Sequence, residues 1–343
     1  MMTFLNFKTQ IISEATSSKP NKKKKTGFVE LKTRTMKHDV YKLVYQECAE
    51  LVREQVPMTW YTHLSIMNKV QQKMKKSSSS SSSSTTTTAT ASRIRHRRSW
   101  ESYQHLDDVD MDSTLSVYLQ IHKNHIKMNA HVHKHPEKMD SYLQRLRHGE
   151  SIVDVAKSVH FPPYMLMKFL IKYHSSTLLP DKKKKLTGTA GHEIEDSLVR
   201  EAVQQAAAAD TYCSPAADLV RLNVGVEFEV VLQQRLQQLG IAFQSEDQMR
   251  DEGRSKTPDI RLIVPFAVLK EDHTYHVVNW IDSKAMFGDP HTHEENQNQL
   301  QGYVIRYGPG MVIYWFDYVD ELNNDPDVLI CRDLPSEYIS GGS

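Results

Sequence analysis

Residues Val277 to Asp289 read VVNWIDSKAMFGD, an apolar run that ends in charge. Val277, Val278, Trp280 and Ile281 are β-branched or aromatic, so the run predicts a buried strand. Asp282 and Lys284 close it, two residues apart and therefore on the same face. Burying a carboxylate or an ammonium is costly unless the charge is paired or binds an ion. Any fold of this chain must therefore bring a partner to that strand end. Taken alone, the pair reads most simply as a structural salt bridge. The sharper reading is that it forms half of an active site.

The chain has 343 residues, enough for two domains of ordinary size. Lys plus Arg (43) nearly balances Asp plus Glu (42), so total charge names no partner. Its distribution is uneven. Basic runs stand at Lys22–Lys25, Arg93–Arg98 and Lys182–Lys185, while the acids concentrate after Glu193. The lysine runs fit nuclear localisation signals, although solvated loop charge is the plainer reading of such runs. The three cysteines, Cys48, Cys213 and Cys331, form no CxxC pair. That argues for a reducing compartment and against a disulfide framework or a thiolate zinc site. No apolar run approaches the ~18 residues that suggest a membrane helix, so no membrane partner is expected. No secretory leader pattern opens the chain.

The first 35 residues carry few apolar anchors and read as a disordered basic tail. Val40, Leu43, Val44, Cys48, Leu51 and Val52 then recur at helical spacing, and a second helix is expected over 59–74. Eight serines, Ser77–Ser84, and four threonines follow. Such a tract cannot bury a core, so 77–92 is expected to be disordered. Helical patterning resumes near Asp112. From Gly149 to His174 the pattern is helix, a break at His160-Phe161-Pro162-Pro163, then helix. This resembles a helix-turn-helix, with Tyr164, Lys168 and Lys172 as candidate DNA contacts on the second helix. The plainer alternative is an ordinary helical hairpin. The crowded histidines His122, His125, His131, His133 and His135 lack the nearby cysteines of a structural zinc site. They read as solvated or nucleic-acid-facing residues.

The second half reads as a helix over 193–209, a helix over 224–239 capped by Gly240, a short strand at 241–243, and a hairpin of 258–269 and 276–283. A helix over 293–307 and strands at 311–316 and 328–331 complete it. Helix, strands, helix, strands describe a mixed α/β sheet flanked by helices. The hairpin returns Asp259, at the start of one strand, to the end of the next, where Asp282 and Lys284 lie. Two carboxylates make a hard oxygen site suited to Mg²⁺, with Mn²⁺ as the alternative. A nearby lysine suits hydrolysis at phosphorus.

Pro258-Asp259 … Asp282-Ser283-Lys284 resembles the PD-(D/E)xK signature of restriction-endonuclease-like nucleases. Gly225-Val226-Glu227-Phe228-Glu229 fits the GxxxE-type element of Holliday-junction-resolvase-like members, expected to open the preceding helix. Gln299-Leu300-Gln301-Gly302-Tyr303 fits their QxxxY element. The stretches GVEFEVVLQQRL, EDQMRDEGRSKTPDIRLIVP, WIDSKAMFGD and RYGPGMVIYWF narrow the likeness to the codanin-interacting nuclease family. The likeness covers about 222–334 closely and about 100–175 more loosely, with DSYLQRLRHG the best piece there. The Ser/Thr tract departs from the family's pattern.

The resemblance implies a restriction-endonuclease-like α/β fold preceded by an all-helical, helix-turn-helix-like part. Its domains would be 1–35 (tail), 36–180 (helical), 181–192 (linker) and 193–343 (nuclease). It implies a Mg²⁺-dependent nuclease acting on DNA, a codanin-like partner, a link to chromatin or replication, and residence in nucleus and cytoplasm. Related folds often dimerise, so a homodimer is a further expectation. Asp259 and Asp282 would be metal ligands, with the backbone carbonyl of Ser283 completing the site. Lys284 would orient the attacking water. Glu229 would reach the metal directly or through water, with Glu227 as its rival. The two lie roughly 200° apart around a helix, so only one faces the sheet. Gln299 would steady Lys284 or a phosphate, and Tyr303 would brace the helix. Arg254, Lys256 and Arg306 are candidate backbone-phosphate contacts. Two other classes of reading compete: an interaction adaptor that keeps the fold with weak or no catalysis, and a DNA-binding regulator led by the helix-turn-helix.

Overall fold

The computed structural model describes residues 35–80, 109–174, 194–270, 272–335 and 339–340. The expected tail up to residue 34, the Ser/Thr tract beyond residue 80, the linker at 181–192 and all three basic runs lie outside the described residues.

Three helices form the first cluster: α1 (His38–Arg53), α2 (Trp60–Ser80) and α3 (Met111–His133). Val40, Val44, Cys48 and Val52 of α1 pack with Ile66, Val70 and Met74 of α2 and with Val117, Tyr118 and Ile121 of α3. The tract read as disordered from Ser77 instead continues α2 through Ser80. Asp110 starts α3 by accepting from the Ser113 amide at 2.7 Å. The second cluster holds α4 (Pro136–Arg147), α5 (Ile152–Ser158), α6 (Pro163–Tyr173) and α7 (Ser197–Ala209). Ser151 caps α5 and Asp196 caps α7. Between α5 and α6, His160 has φ +52°, the left-handed turn that reverses the chain. Tyr164 stands 5% exposed in this core, so its ring is packed and not offered to a ligand. This corrects its expected role as a DNA contact. Helix α7 lies in the segment assigned to the nuclease domain, yet Val199, Ala202, Val203 and Ala206 pack among α4–α6.

The α/β part runs α8 (Pro215–Gln238), β1 (Phe243–Ser245), α9 (Glu246–Asp251), β2 (Ile260–Leu269), β3 (Tyr275–Lys284), α10 (Pro290–Tyr307), β4 (Gly310–Tyr314), β5 (Val328–Cys331) and β6 (Ile339–Ser340). The strand order is β1-β2-β3-β4-β5, with β6 on β2. Strands β1, β2 and β3 pair antiparallel, and β3, β4 and β5 pair parallel. The chain thus forms the expected mixed α/β sheet with helices before it. Parallel pairing of β3 and β4 requires a crossover, which α10 supplies.

Strand alternation divides the core between the two faces. Met311, Ile313, Leu329 and Cys331 join Phe228, Leu232 and Leu236 of α8 on one face. Val312, Tyr314, Val328 and Ile330 join Leu300 and Tyr303 of α10 on the other. Each large side chain so buried contributes about 1.5–3 kcal/mol. Trp280 anchors the α10 face, and its Nε1 donates to the Gly308 carbonyl at 2.8 Å. A Cβ at Gly310 would collide with the Trp280 indole, so glycine lets β4 lie against that ring.

The two parts are locked together just past β3. Phe287 is fully buried in the α1–α3 cluster and stacks on Tyr41, with centroids 5.7 Å apart. Its amide donates to Ser116 Oγ at 2.8 Å, and its carbonyl accepts from Gln120 Nε2 at 2.6 Å. Met36 forms a parallel bridge with Val319, and Asp110 pairs with Arg332 at the other side. Phe287→Ala should therefore destabilise the whole chain by about 3–5 kcal/mol. Urea unfolding should show a lower midpoint, with the helical and α/β signals falling together.

Candidate active site

The buried end of β3 meets the entry to β2. Ile260 pairs with Ile281 across the antiparallel ladder, which places Asp259 against Asp282-Ser283. Asp259 Oδ2 accepts from the Ser283 amide at 2.6 Å. Asp282 is 1% exposed, and its Oδ2 lies 2.6 Å from Lys284 Nζ. That contact is an ion pair by distance, but Oδ2 has no hydrogen bond of good angle. Lys284 is itself mostly buried. Its Nζ also donates to Gln299 Oε1 at 3.4 Å, and Gln299 Nε2 donates to the Tyr303 hydroxyl at 2.6 Å. Tyr303 is buried edge-to-face on Trp280. The elements Asp259, Asp282, Lys284, Gln299 and Tyr303, read separately along the chain, thus stand in one connected group.

The helix acid is resolved by burial. Glu229 is half-buried and Glu227 is exposed. Burial pushes the Glu229 carboxyl up, and so do Glu246 and Asp282; Glu229 is the acid turned toward the site. The GVEFE element sits mid-helix, not at the opening expected of it. Ser214, accepting from the Ala217 amide, and Pro215 start α8 well upstream. Glu246 is an acid the motif reading did not select. It heads α9 behind Ser245, whose capping box with Gln248 fixes that turn. The carboxyls of Glu229 and Asp282 both feel its charge. Its signal in the sequence was SEDQ, a capping box at the end of the short strand β1.

Burial and repulsion from Asp282 push the Asp259 carboxyl up to about 8, against the opposing Ser283 amide and Lys284. Burial also raises Asp282, with Lys284 opposing it. For Lys284, burial disfavours the charge, but Asp282, Asp259 and Glu229 outweigh it and hold the ammonium above its ordinary pKa. The lysine is therefore a donor, not a base. The arrangement can gather a cation between two carboxylates and present a fixed N–H donor beside it. Among the described residues no closed group of three or more His, Cys, Asp or Glu side chains is gathered for a metal. The donor set is an open pair of carboxylates.

The outer candidates are spread more widely. Lys256 and Arg306 are exposed, and both approach Gly302 of α10. Arg254 is exposed but paired with Glu252 at 2.9 Å. Lys168 and Lys172 lie on α6, away from this group, with Lys168 over the Tyr164 ring.

Comparison with known proteins agrees with the layout. A family model described as "Protein of unknown function TPD sequence-motif" matches residues 195–334. CDAN1-interacting nuclease 1 of Mus musculus is 31% identical over 242 residues, covering 66% of this chain and 84% of that protein. The Homo sapiens protein of the same name gives the same identity and coverage. That of Danio rerio is 30% identical over 252 residues, 69% of this chain and 82% of its own length. The chain belongs to the CDAN1-interacting nuclease family. No solved structure matches it. The family model takes in α7, the whole run from α8 to β5 and Phe287 itself.

The raised carboxyl has a consequence for stability. An unfolded aspartate titrates near 3.9, so between about pH 4 and 8 the folded chain keeps a proton that the unfolded chain has lost. Stability from this group is complete below about pH 4 and is lost as pH rises through about 8. In chelator-treated protein, Tm should fall as pH rises from about 5 to 8. Asp259→Asn should raise Tm near pH 8 and flatten the profile, as differential scanning fluorimetry would read directly.

Proposed function

We propose that this protein is a metal-dependent nuclease that hydrolyses phosphodiester bonds in DNA and works with a codanin-like partner. The observation that carries the reading is the convergence of Asp259, Asp282 and Lys284 at one strand end, with Gln299 and Tyr303 behind the lysine. Relatives named as CDAN1-interacting nucleases support it. With the reading go a role in chromatin- or replication-linked processes and residence in nucleus and cytoplasm.

The donor set fits Mg²⁺, with Mn²⁺ as the alternative. It is oxygen-only, it leaves positions for water and phosphate, and it offers the poorly satisfied Oδ2 of buried Asp282. Asp259 and Asp282 would hold the ion, with the Ser283 carbonyl as a further ligand and Glu229 acting through water. When bound, such an ion lowers the pKa of a coordinated water and offsets charge growing on the phosphate.

The chain's own groups supply the rest. Lys284 stays protonated and donates toward the attacking water and the phosphate oxygens. Gln299 limits its motion, and Tyr303 fixes Gln299 by the 2.6 Å hydrogen bond. Trp280 and Ile281 keep bulk water from beneath the carboxylates, which strengthens every charge interaction at the site.

In Mg²⁺, a panel of duplex, flap, junction and single-stranded DNA should contain at least one substrate that the full chain cuts. Lys284→Ala should lower kcat by about 100-fold or more, and Asp259→Asn should leave no cutting above background. Activity that survives both changes would refute the mechanism. Tyr303→Phe keeps the ring and removes the brace. It should cost about 10-fold in kcat, with KM little changed in a steady-state assay.

A further inference from the structure

Helix α10 carries more than Gln299 along its cleft side. Glu295, Gln299, Gly302 and Arg306 recur at four-, three- and four-residue spacing, which puts them on one flank of the helix. Gln299 faces Lys284. At the C-terminal end of the flank, Arg306 Nη1 donates to the Gly302 carbonyl at 2.9 Å. A methyl at Gly302 would stand 3.7 Å from Arg306 Nη1 and 3.9 Å from Lys256 Cδ, so both cations gather there.

At the other end, Glu295 receives Lys127 Nζ at 3.2 Å, Lys123 Nζ at 3.8 Å and His291 Nε2 at 3.7 Å. One carboxylate thus sits among two lysines and a histidine, which leaves net positive charge. The lysines come from α3, in the helical part. They remain 73% and 66% exposed, so they are free to turn to a stronger anion. His131 continues the same α3 face one turn further on, also exposed. Positive charge therefore brackets the site along α10, over about 16 Å from Glu295 to Arg306 at 1.5 Å per residue. One strand of duplex DNA presents a phosphate every 3.4 Å of axis, so this span faces about five phosphates.

We propose that this flank of α10 and the Lys123–Lys127 face of α3 form a track for the phosphate backbone of double-stranded DNA, with the carboxylate site at its middle. The choice of DNA rests on the nuclease reading. Glu295 parks the two lysines when no DNA is bound, and backbone phosphates replace it. The helical part thus binds substrate through α3 and not through the helix-turn-helix-like α5–α6 pair, whose Tyr164 is buried.

The test is fluorescence anisotropy of the full chain on a labelled duplex of about 20 base pairs, in chelator, across a salt series. The double change Lys123→Ala, Lys127→Ala should weaken binding about 10-fold or more at low salt. It should lower the slope of log Kd against log salt by about 2, at roughly 0.9 per phosphate contact. Lys168→Ala with Lys172→Ala should leave both unchanged. Glu295→Gln should tighten binding several-fold, whereas a purely structural ion pair would not. Scanning fluorimetry should show all variants folded, since these side chains lie outside the core. An unchanged slope in the Lys123/Lys127 variant, an equal drop in the Lys168/Lys172 variant, or no salt-dependent binding by wild type would overturn the track. Salt-dependent binding lost in the Lys123/Lys127 variant, without any cutting by wild type in Mg²⁺, would refute the nuclease reading and leave the track standing. Cutting by wild type with an unchanged slope in that variant would do the reverse.

Discussion

A buried carboxylate, Asp282, and a partly buried one, Asp259, that repel each other at the end of β3 are the constraint around which the α/β part is arranged. Asp259 and Asp282 lack a full complement of compensation: one amide reaches the first, and one ammonium reaches the second. A buried charge survives only with partners, and the fold draws the group together from four separate elements. Strand β2 delivers Asp259, β3 delivers Ser283 and Lys284, α10 delivers Gln299, and α8 delivers Glu229. A seam that existed only for stability would do better with apolar residues of similar size. Such a cost fits the proposed site, which would work on charge, the usual exchange of stability for function.

The helical part is tied to that site. The segment leaving β3 runs through Phe287 into the α1–α3 cluster, then to Asp289, which caps α10 by accepting from the His291 and Thr292 amides. Residues 284–289 therefore link the lysine, the interdomain lock and the start of the helix that holds Gln299. A partner that shifted α1–α3 would act on the site through this short path. The family model begins at residue 195 and so includes α7, which packs among α4–α6 of the helical part.

Much of this was legible in the sequence, for identifiable reasons. β-Branched and aromatic runs marked β2, β3, β4 and β5 to within a few residues; β4 and β5 are buried on both faces, which admits little else. The acid and lysine spacing was readable because strand geometry puts residues two apart on one face. Gly240 is left-handed after α8, as its place beyond the helical pattern indicated. The boundaries that escaped were set by caps. Ser214-Pro215 starts α8 well before the motif, and Asp289-Pro290 starts α10 before His293. Tyr164 was misplaced because periodicity shows that a face is apolar but not which other cluster will cover it. Glu246 was missed because SEDQ marks only the turn that it heads, while its nearness to Asp259 depends on the return of β2 past β1.

The central claim is that Asp259 and Asp282 form a single divalent-cation site. Calorimetric titration of Mn²⁺ into the full chain, beside Asp282→Asn, tests it most directly. The account predicts one saturable site in wild type, with protons released on binding near pH 7, and no saturable heat in the variant. No saturable binding by wild type, or binding that Asp282→Asn leaves intact, would contradict it.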